Sequence, residues 1–170
     1  MKFNNIIFEI IDSSQKNYLK WKRKNVTIRG IKEFGKENGG MGSFGGGLYT
    51  AFLGNREMAK IYGKVYFLLN AKPKHPKVVN TLNDAEIFIQ GLINKWCKER
   101  GMDYNSNYFY EKTNISTEMI KSGFDGLVIR GREIVNYSPN IDEIKYFETE
   151  DELRRYYLNN IESQHHIPEA

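Results

Sequence analysis

The sequence predicts an α+β fold, because apolar stretches with strand and helix periods follow one another without a regular strand–helix–strand rhythm. Most predicted strands are joined as hairpins, which argues against a doubly wound parallel sheet and so against a Rossmann domain. The chain has 170 residues, of which 40% are hydrophobic and 27% charged. This length and composition are those of one globular domain and exclude a disordered or fibrous protein.

We expect a single domain over residues 1–170. It consists of a helical or extended lead-in at 1–24, a core at 25–147, and a C-terminal helix and tail at 148–170. The sequence contains neither an internal repeat nor a linker that would divide it into two domains.

The first predicted elements surround a glycine-rich run. Residues 3–11 are rich in Ile and Phe and predict a strand or a short buried helix, after which Ser13 or Ser14 can cap a helix. Residues 25–30 are β-branched and end on glycine, so they predict a strand. The run from Gly35 to Gly47 contains seven glycines and predicts a loop.

Apolar periodicity and capping signals place the remaining elements. Pro73 and Pro76 end a strand and keep the following residues extended. Asn83 with Glu86 is typical of a capping box and begins the best-defined helix. The predicted strands are 48–52, 64–71 and 144–147, and the predicted hairpin is 124–137 with its turn at Gly131. The predicted helices are 56–62 (cap Asn55), 83–101, 116–123 and 149–161 (cap Thr149). A polar connection covers 102–114.

The charge pattern does not predict a nucleic-acid patch. The formal charge is +4 and the isoelectric point is about 9.0, but basic and acidic residues are interspersed. The densest basic cluster, residues 20–24, is interpreted as the solvated face of a helix. The single cysteine, Cys97, excludes an internal disulfide and a zinc site with several thiolates. The three histidines lack metal-ligand spacing, so no metal is expected.

The N-terminal stretch predicts neither a signal peptide nor a membrane span. Its apolar run is short and is interrupted by Asn5, Glu9 and Asp12. We therefore expect no membrane partner and a cytoplasmic location, in a bacterial or host cell, or association with a virion. The low cysteine content agrees with a reducing compartment.

The glycine run has two interpretations. Gly40 to Gly45 matches the dinucleotide pattern G-x-G-x-x-G, but in that motif a strand precedes the glycines and a helix follows, whereas here more glycines precede and a strand follows. The Gly-Lys-Ser/Thr ending of a P-loop is missing as well. The run is either only a connection, or a backbone without side chains that a flat or phosphate-bearing ligand can approach.

Three segments carry more information by their order than each carries alone. Arg29-Gly30 ends a strand, Gly45 to Thr50 follows the glycine run and leads into a helix that ends at Tyr62, and the last hairpin carries Glu133 just past its turn. This set resembles the ADP-ribosyltransferase superfamily, in particular its members in bacterial toxins and phage polyvalent proteins, with features of the diphtheria-toxin-like and poly(ADP-ribose) polymerase branch. The resemblance covers residues 26–145 and implies a split β-sandwich of two antiparallel sheets with flanking helices.

The resemblance also implies NAD as a substrate and gives each segment a role. In the superfamily an Arg-Gly or His-Gly pair contacts NAD, a glycine-rich segment ending in Leu-Tyr faces the nicotinamide, and a second tyrosine often stacks there. A hairpin glutamate hydrogen-bonds the nicotinamide-side ribose. In this sequence the implied cofactor-binding residues are Arg29, Gly30, Gly47, Tyr49, Thr50 and Tyr62, and the implied catalytic residue is Glu133.

The implied site is chemically consistent in its own right. Cleavage of the nicotinamide–ribose bond develops positive charge on the ribose, which the Glu133 carboxylate would stabilise more in the transition state than in the ground state. Arg29 can grip a phosphate through its fork of donors, while Tyr49 and Tyr62 can sandwich the nicotinamide ring. The ordinary alternative places Glu133 in solvent, the tyrosines in the core and Arg29 in a surface ion pair.

The resemblance therefore implies a NAD-dependent mono-ADP-ribosyltransferase that transfers ADP-ribose to a macromolecule or to water. The acceptor stays open between protein and nucleic acid, although Gly131 disfavours an arginine acceptor, since toxins with that acceptor carry Gln or Glu at this place. One alternative is a catalytically inactive module of the same fold that acts as a phage structural or nucleic-acid-binding protein. Another is an RNA 2′-phosphotransferase, for which the candidate phosphate ligands are Arg29, Arg130 and Arg132.

Overall fold

The computed structural model describes residues 2–32 and 41–165, with side chains for 13–32 and 42–164. The helices of these ranges are α1 (Lys2–Asn25), α2 (Arg56–Lys60), α3 (Leu82–Lys98), α4 (Ser106–Lys112), α5 (Ile115–Lys121) and α6 (Glu150–Tyr157). The strands are β1 (Val26–Ile31), β2 (Met41–Gly42), β3 (Gly45–Gly46), β4 (Leu48–Ala51), β5 (Lys64–Leu69), β6 (Pro76–Val79), β7 (Gly126–Ile129), β8 (Glu133–Asn136) and β9 (Lys145–Phe147). A π-helical segment, Leu158–Glu162, continues α6, and 3₁₀ turns cover Ile141–Glu143 and Ser163–His165.

Seven of these strands form one mixed sheet in the order β6-β7-β8-β4-β1-β5-β9. Neighbouring strands are antiparallel except β6 and β7, which are parallel and are connected through α3, α4 and α5. The α+β class is confirmed. The split sandwich of two antiparallel sheets is not confirmed, because hydrogen bonds between β1 and β4 join the strands into one sheet and because one strand pair is parallel.

The joint between β1 and β4 is the weakest in this sheet. These two strands are paired at one position, Ile28 with Ala51. In contrast, β1 is paired with β5 at six positions and β4 with β8 at four. The strands therefore diverge beyond the Ile28–Ala51 pair, where Arg29 and Gly30 of β1 lie opposite the rest of β4.

Apolar residues from both halves of the sheet cover the same face as that pair. Directly paired residues project to the same side of a sheet, so Ile129, Glu133, Ala51 and Ile28 form one cross-strand row. On the β7–β8 side this face is buried beneath α3, α4 and α5, and on the β1–β5 side beneath α2 and α6. Glu133 thus lies between two hydrophobic cores, in a row whose other members are apolar.

Several predicted elements are confirmed with small shifts of their ends. β4, β5 and β9 fall within the predicted strands, β1 extends one residue beyond its predicted end at Gly30, and the 124–137 segment forms the β7–β8 hairpin. Its turn contains Gly131 at φ 70°, a left-handed conformation that glycine adopts without strain. The last helix begins as predicted, because the Thr149 side chain accepts a hydrogen bond from the Glu152 N–H at 3.2 Å.

Other local predictions are wrong. Ser13 and Ser14 lie inside α1, which is one continuous helix through residues 3–11 as well. Thr81 rather than Asn83 caps α3, since its side chain accepts from the Asp84 N–H. The polar connection at 102–114 contains α4, which buries Phe109 in the core.

Only part of the predicted glycine loop lies within the described residues. Gly35 to Gly40 lie outside them, so the prediction for that half stays untested. Residues 41–46 form a two-stranded hairpin of β2 and β3, hereafter the glycine hairpin, where the sequence predicts a loop. Phe44 at its tip is 3% exposed and belongs to the core on the β7–β8 side. One buried aromatic ring thus anchors an otherwise glycine-rich segment.

Candidate functional site

A cavity of about 290 Å³ lies where β1 and β4 diverge, hereafter the central cavity. Its lining includes six of the residues that the sequence nominates: Arg29, Gly30, Tyr49, Thr50, Tyr62 and Glu133. The other lining residues are Ile28 and Ala51 on the sheet, Met58 and Ala59 on α2, and Gly42 on the glycine hairpin. The cavity therefore joins elements that lie far apart in the sequence, with a largely apolar floor.

Glu133 is a partly buried carboxyl group at the first position of β8. Burial raises its pKa above the usual value for glutamate, and the positive charge of Arg132 lowers it to a smaller extent. The cause is its place in the apolar cross-strand row, where ionisation is disfavoured by the low dielectric. A carboxylate in such an environment interacts strongly with a positive charge that develops nearby.

Tyr49 connects the cavity to the glycine hairpin. Its hydroxyl donates a hydrogen bond to the Gly45 carbonyl and accepts one from the Phe44 N–H at 3.2 Å. Burial, together with the negative charge of Glu133, raises the pKa of Tyr49 to about 12. A Cβ added to Gly42 would lie 2.5 Å from the Cζ atom of the Tyr49 ring, so the hairpin backbone covers part of this ring. The hydroxyl of Tyr49 is therefore used within the fold, and its ring borders the cavity.

Tyr137 is a second tyrosine that holds the hairpin, and the sequence does not single it out. Its hydroxyl donates to the Phe44 carbonyl at 2.8 Å, and the residue is 8% exposed. Burial raises its pKa, with smaller contributions from Tyr49 and Glu133. The available signal was the even spacing from Glu133, because residues 133, 135 and 137 project to one face of an extended chain.

Arg29 contributes its side chain to the site, whereas Gly30 contributes a backbone without a side chain. The Arg29 guanidinium donates from Nη1 to the Tyr49 carbonyl at 3.3 Å, which bridges the gap between the diverging strands. A Cβ on Gly30 would lie 1.8 Å from the Ala59 carbonyl oxygen. Glycine is thus required at position 30 because the end of α2 packs directly on the β1 backbone.

The remaining nominated residues differ in their exposure to the cavity. Tyr62 follows α2 and is 61% exposed, so it forms an accessible aromatic rim. Thr50 is 4% exposed, and its hydroxyl has no hydrogen-bond partner among the described residues. Gly47 is not part of the cavity lining. A Cβ at that position would lie 2.8 Å from the Asn136 carbonyl oxygen, so Gly47 instead allows close contact with β8.

Asn55 has a role that the sequence does not predict. It precedes α2 but makes no side-chain cap. Its Nδ2 instead donates to the Arg132 carbonyl at 3.1 Å. This bond ties the loop before α2 to the residue next to Glu133, so it sets the spacing across the cavity. Asn55 thus occupies the N-cap position that the sequence predicts, but its side chain does not form the cap hydrogen bond.

The structure gives less support to a phosphate site at Arg130 and Arg132, to a metal site or to a membrane span. Arg130 and Arg132 are exposed on the β7–β8 turn and do not line the cavity that contains Arg29. Within residues 2–32 and 41–165, no three His, Cys, Asp or Glu side chains are grouped as metal ligands would be. Among the described helices, none combines the length and apolar character that crossing a bilayer requires.

Comparison of the chain with protein-family models, with curated proteins and with solved structures found no match. The arrangement itself therefore carries the functional argument. It combines one carboxylate, one guanidinium, two aromatic rings and an apolar floor around a single opening. Such a site can stabilise a cationic transition state, bind a planar ring and hold an anionic group.

Proposed function

We propose that the protein is a NAD-dependent mono-ADP-ribosyltransferase, which cleaves the nicotinamide–ribose bond and transfers ADP-ribose to a macromolecule or to water. The observation that carries the proposal is the position of Glu133. A carboxyl group inside an apolar cross-strand row has an unfavourable solvation energy, and it borders the cavity that also contains Arg29, Tyr49 and Tyr62. Placement of a charge at such a site is typical of catalytic groups rather than of surface glutamates.

Cleavage of the nicotinamide–ribose bond requires mainly one ionised carboxylate near the ribose. As the bond to nicotinamide breaks, positive charge develops on the ribose, and the ionised Glu133 stabilises it in the transition state. The partial burial of Glu133 strengthens this interaction relative to bulk water. Glu133 must be ionised for this role, so activity should rise with pH through a pKa above the ordinary glutamate range.

The cavity suits one end of NAD better than the whole molecule. Its volume of about 290 Å³ is at the low end of ligand sites, which are roughly 300–1,000 Å³. The nicotinamide ring and its ribose would occupy it, with the exposed ring of Tyr62 and the ring of Tyr49 beside the nicotinamide. Arg29 borders the same cavity, and the pyrophosphate is assigned to it because a guanidinium binds phosphate oxygens through charge-assisted hydrogen bonds.

The proposal is tested by nicotinamide release from NAD, measured for the purified protein and for Glu133→Gln. Glutamine keeps the shape of the side chain and removes its charge, so we expect release to fall by roughly 10²-fold or more. The matched control is Glu111→Gln on α4, an exposed glutamate outside the central cavity, which should retain wild-type release. Equal release by wild type and Glu133→Gln would exclude Glu133 from the mechanism. NAD binding without any release would favour an inactive module of the same architecture.

A further inference from the structure

Three exposed arginines lie on the two loops at the Glu133 end of the central cavity. Arg130 and Arg132 flank Gly131 in the β7–β8 turn, and Arg56 is the first residue of α2. We call Arg56, Arg130 and Arg132 the arginine cluster. The bond from Asn55 Nδ2 to the Arg132 carbonyl joins the two loops at 3.1 Å. The two segments that carry the cluster are therefore joined directly, next to Glu133 of the cavity lining.

The local charge around the cluster is positive. On α2 the neighbouring acid, Glu57, already pairs with Lys60 at 3.0 Å. Arg132 interacts with the charge of Glu133. Within the part of the chain that the structure describes, no carboxylate forms an ion pair with Arg56 or Arg130. Two of the three guanidinium groups thus have their donors available for an external anion.

We propose that the arginine cluster binds the phosphates of a single-stranded nucleic acid, and that this strand accepts the ADP-ribose. The inference rests on the proposed function, because it names the acceptor of that reaction. One guanidinium group can donate two parallel hydrogen bonds to the oxygens of one phosphate. Successive phosphates of a strand can therefore contact several arginines at once. A base inside a duplex is not able to reach a cavity of this kind, whereas an unpaired strand can present its bases and sugars.

The reaction balances without a further reagent. The bond between ribose C1 and the nicotinamide nitrogen breaks, and nicotinamide leaves as a neutral molecule with the electron pair. A nitrogen or oxygen of the strand uses its lone pair to form the new bond to C1. That atom then loses its proton to solvent. The products are the ADP-ribosylated strand, nicotinamide and one proton, with NAD as the co-substrate.

The binding step is tested without NAD. The affinity of fluorescently labelled DNA and RNA strands of about 12 nucleotides, within the span of known single-strand sites, is measured by anisotropy at about 50 to 200 mM salt. We expect the double variant Arg56→Gln/Arg130→Gln to bind roughly tenfold more weakly, and its salt slope to fall by about 1.4, since each lost phosphate contact accounts for about 0.7.

The matched control removes the same charge elsewhere. Arg23 on α1 and Arg155 on α6 are exposed and lie outside the central cavity. The variant Arg23→Gln/Arg155→Gln should retain the wild-type affinity and slope. Equal losses in the two double variants would mean that the strand binds by net charge alone, which overturns the proposed site. No binding by the wild type at about 50 mM salt overturns it as well.

The transfer step is tested with NAD labelled in its adenylate phosphate, in mixtures of the wild-type protein with single-stranded DNA, single-stranded RNA or a cell lysate cleared of nucleic acid. Label on a strand supports the inference, and the strand labelled distinguishes DNA from RNA. Label only on lysate proteins, or nicotinamide release with label on neither, overturns the inference but leaves the proposed function intact. Strand binding without any nicotinamide release would instead contradict the proposed function and with it the transfer.

Discussion

Tyr49→Phe removes one oxygen from the wall of the central cavity and tests whether this residue mainly holds the glycine hairpin. The hydroxyl donates to the Gly45 carbonyl and accepts from the Phe44 N–H. The ring remains in phenylalanine, so its contact with Gly42 is kept. The substitution therefore isolates the two hydrogen bonds that join the hairpin to β4.

The expected cost follows from those two bonds. A hydrogen bond contributes roughly 0.5–1.5 kcal/mol, and a partner left unsatisfied in a buried place costs more. We therefore expect the free energy of unfolding to fall by about 2 kcal/mol. For a chain of 150–250 residues each kcal/mol lowers Tm by roughly 2–4 °C, so Tm should fall by about 4–8 °C. Phe44 is buried in the core, which couples the hairpin to global stability.

The assay combines thermal unfolding with amide hydrogen exchange. The Phe44 N–H should lose protection in Tyr49→Phe, because its acceptor is gone. Tyr62→Phe is the matched control, since Tyr62 lines the same cavity but is 61% exposed. Its stability should change by less than roughly 0.5 kcal/mol. If Tyr49→Phe is as stable as Tyr62→Phe and the Phe44 amide exchanges at the wild-type rate, the assignment of Tyr49 to the hairpin is refuted.

Three further predictions concern the same cavity. Glu133→Gln should be about as stable as wild type at a pH below the ordinary glutamate pKa and more stable at a pH above the raised pKa of Glu133. Because that pKa is raised, the folded protein binds more protons than the unfolded chain, so the stability of wild type falls as pH rises through the unfolded and then the folded value. A Tm difference independent of pH would contradict this. Gly30→Ala should destabilise the protein by roughly 1–3 kcal/mol, because its Cβ would meet the Ala59 carbonyl, and wild-type stability in urea would exclude that close approach. Asn55→Ala should cost roughly 1 kcal/mol through the bond to Arg132, and chemical denaturation that detects no loss would show that this bond is not formed in solution.

The sequence predicted best the residues at the ends of strands and in turns. The β-branched run before Arg29 and the glycine at 131 fix a strand and a hairpin by local preferences that do not depend on distant contacts. Glu133 follows directly from that hairpin, since the residue after the turn begins β8. Its association with Arg29, Tyr49 and Tyr62 was implied by the family that the ordered segments resemble, and all four residues line one cavity.

Contacts between distant residues were not accessible in this way. No local sequence pattern predicts the pairing of Ile28 with Ala51 or the packing of Phe44 against the core. The Asn55 side chain illustrates the reason: the residue stands at the N-cap of α2, as its local preference predicts, but the hydrogen bond from its Nδ2 to the Arg132 carbonyl, 77 positions away in the chain, has no local signal. Long-range acceptors of this kind decide the shape of the site and are visible only in three dimensions.

The most direct test of the account is a titration of the protein with NAD that is followed by the amide resonances of each residue. We expect saturable shifts at Arg29, Gly30, Tyr49, Tyr62 and Glu133, which line the central cavity, and little or no shift on α3 and α4, which do not. Saturable shifts confined to other surfaces, or unchanged spectra at millimolar NAD, would contradict the claim that this cavity is a NAD site.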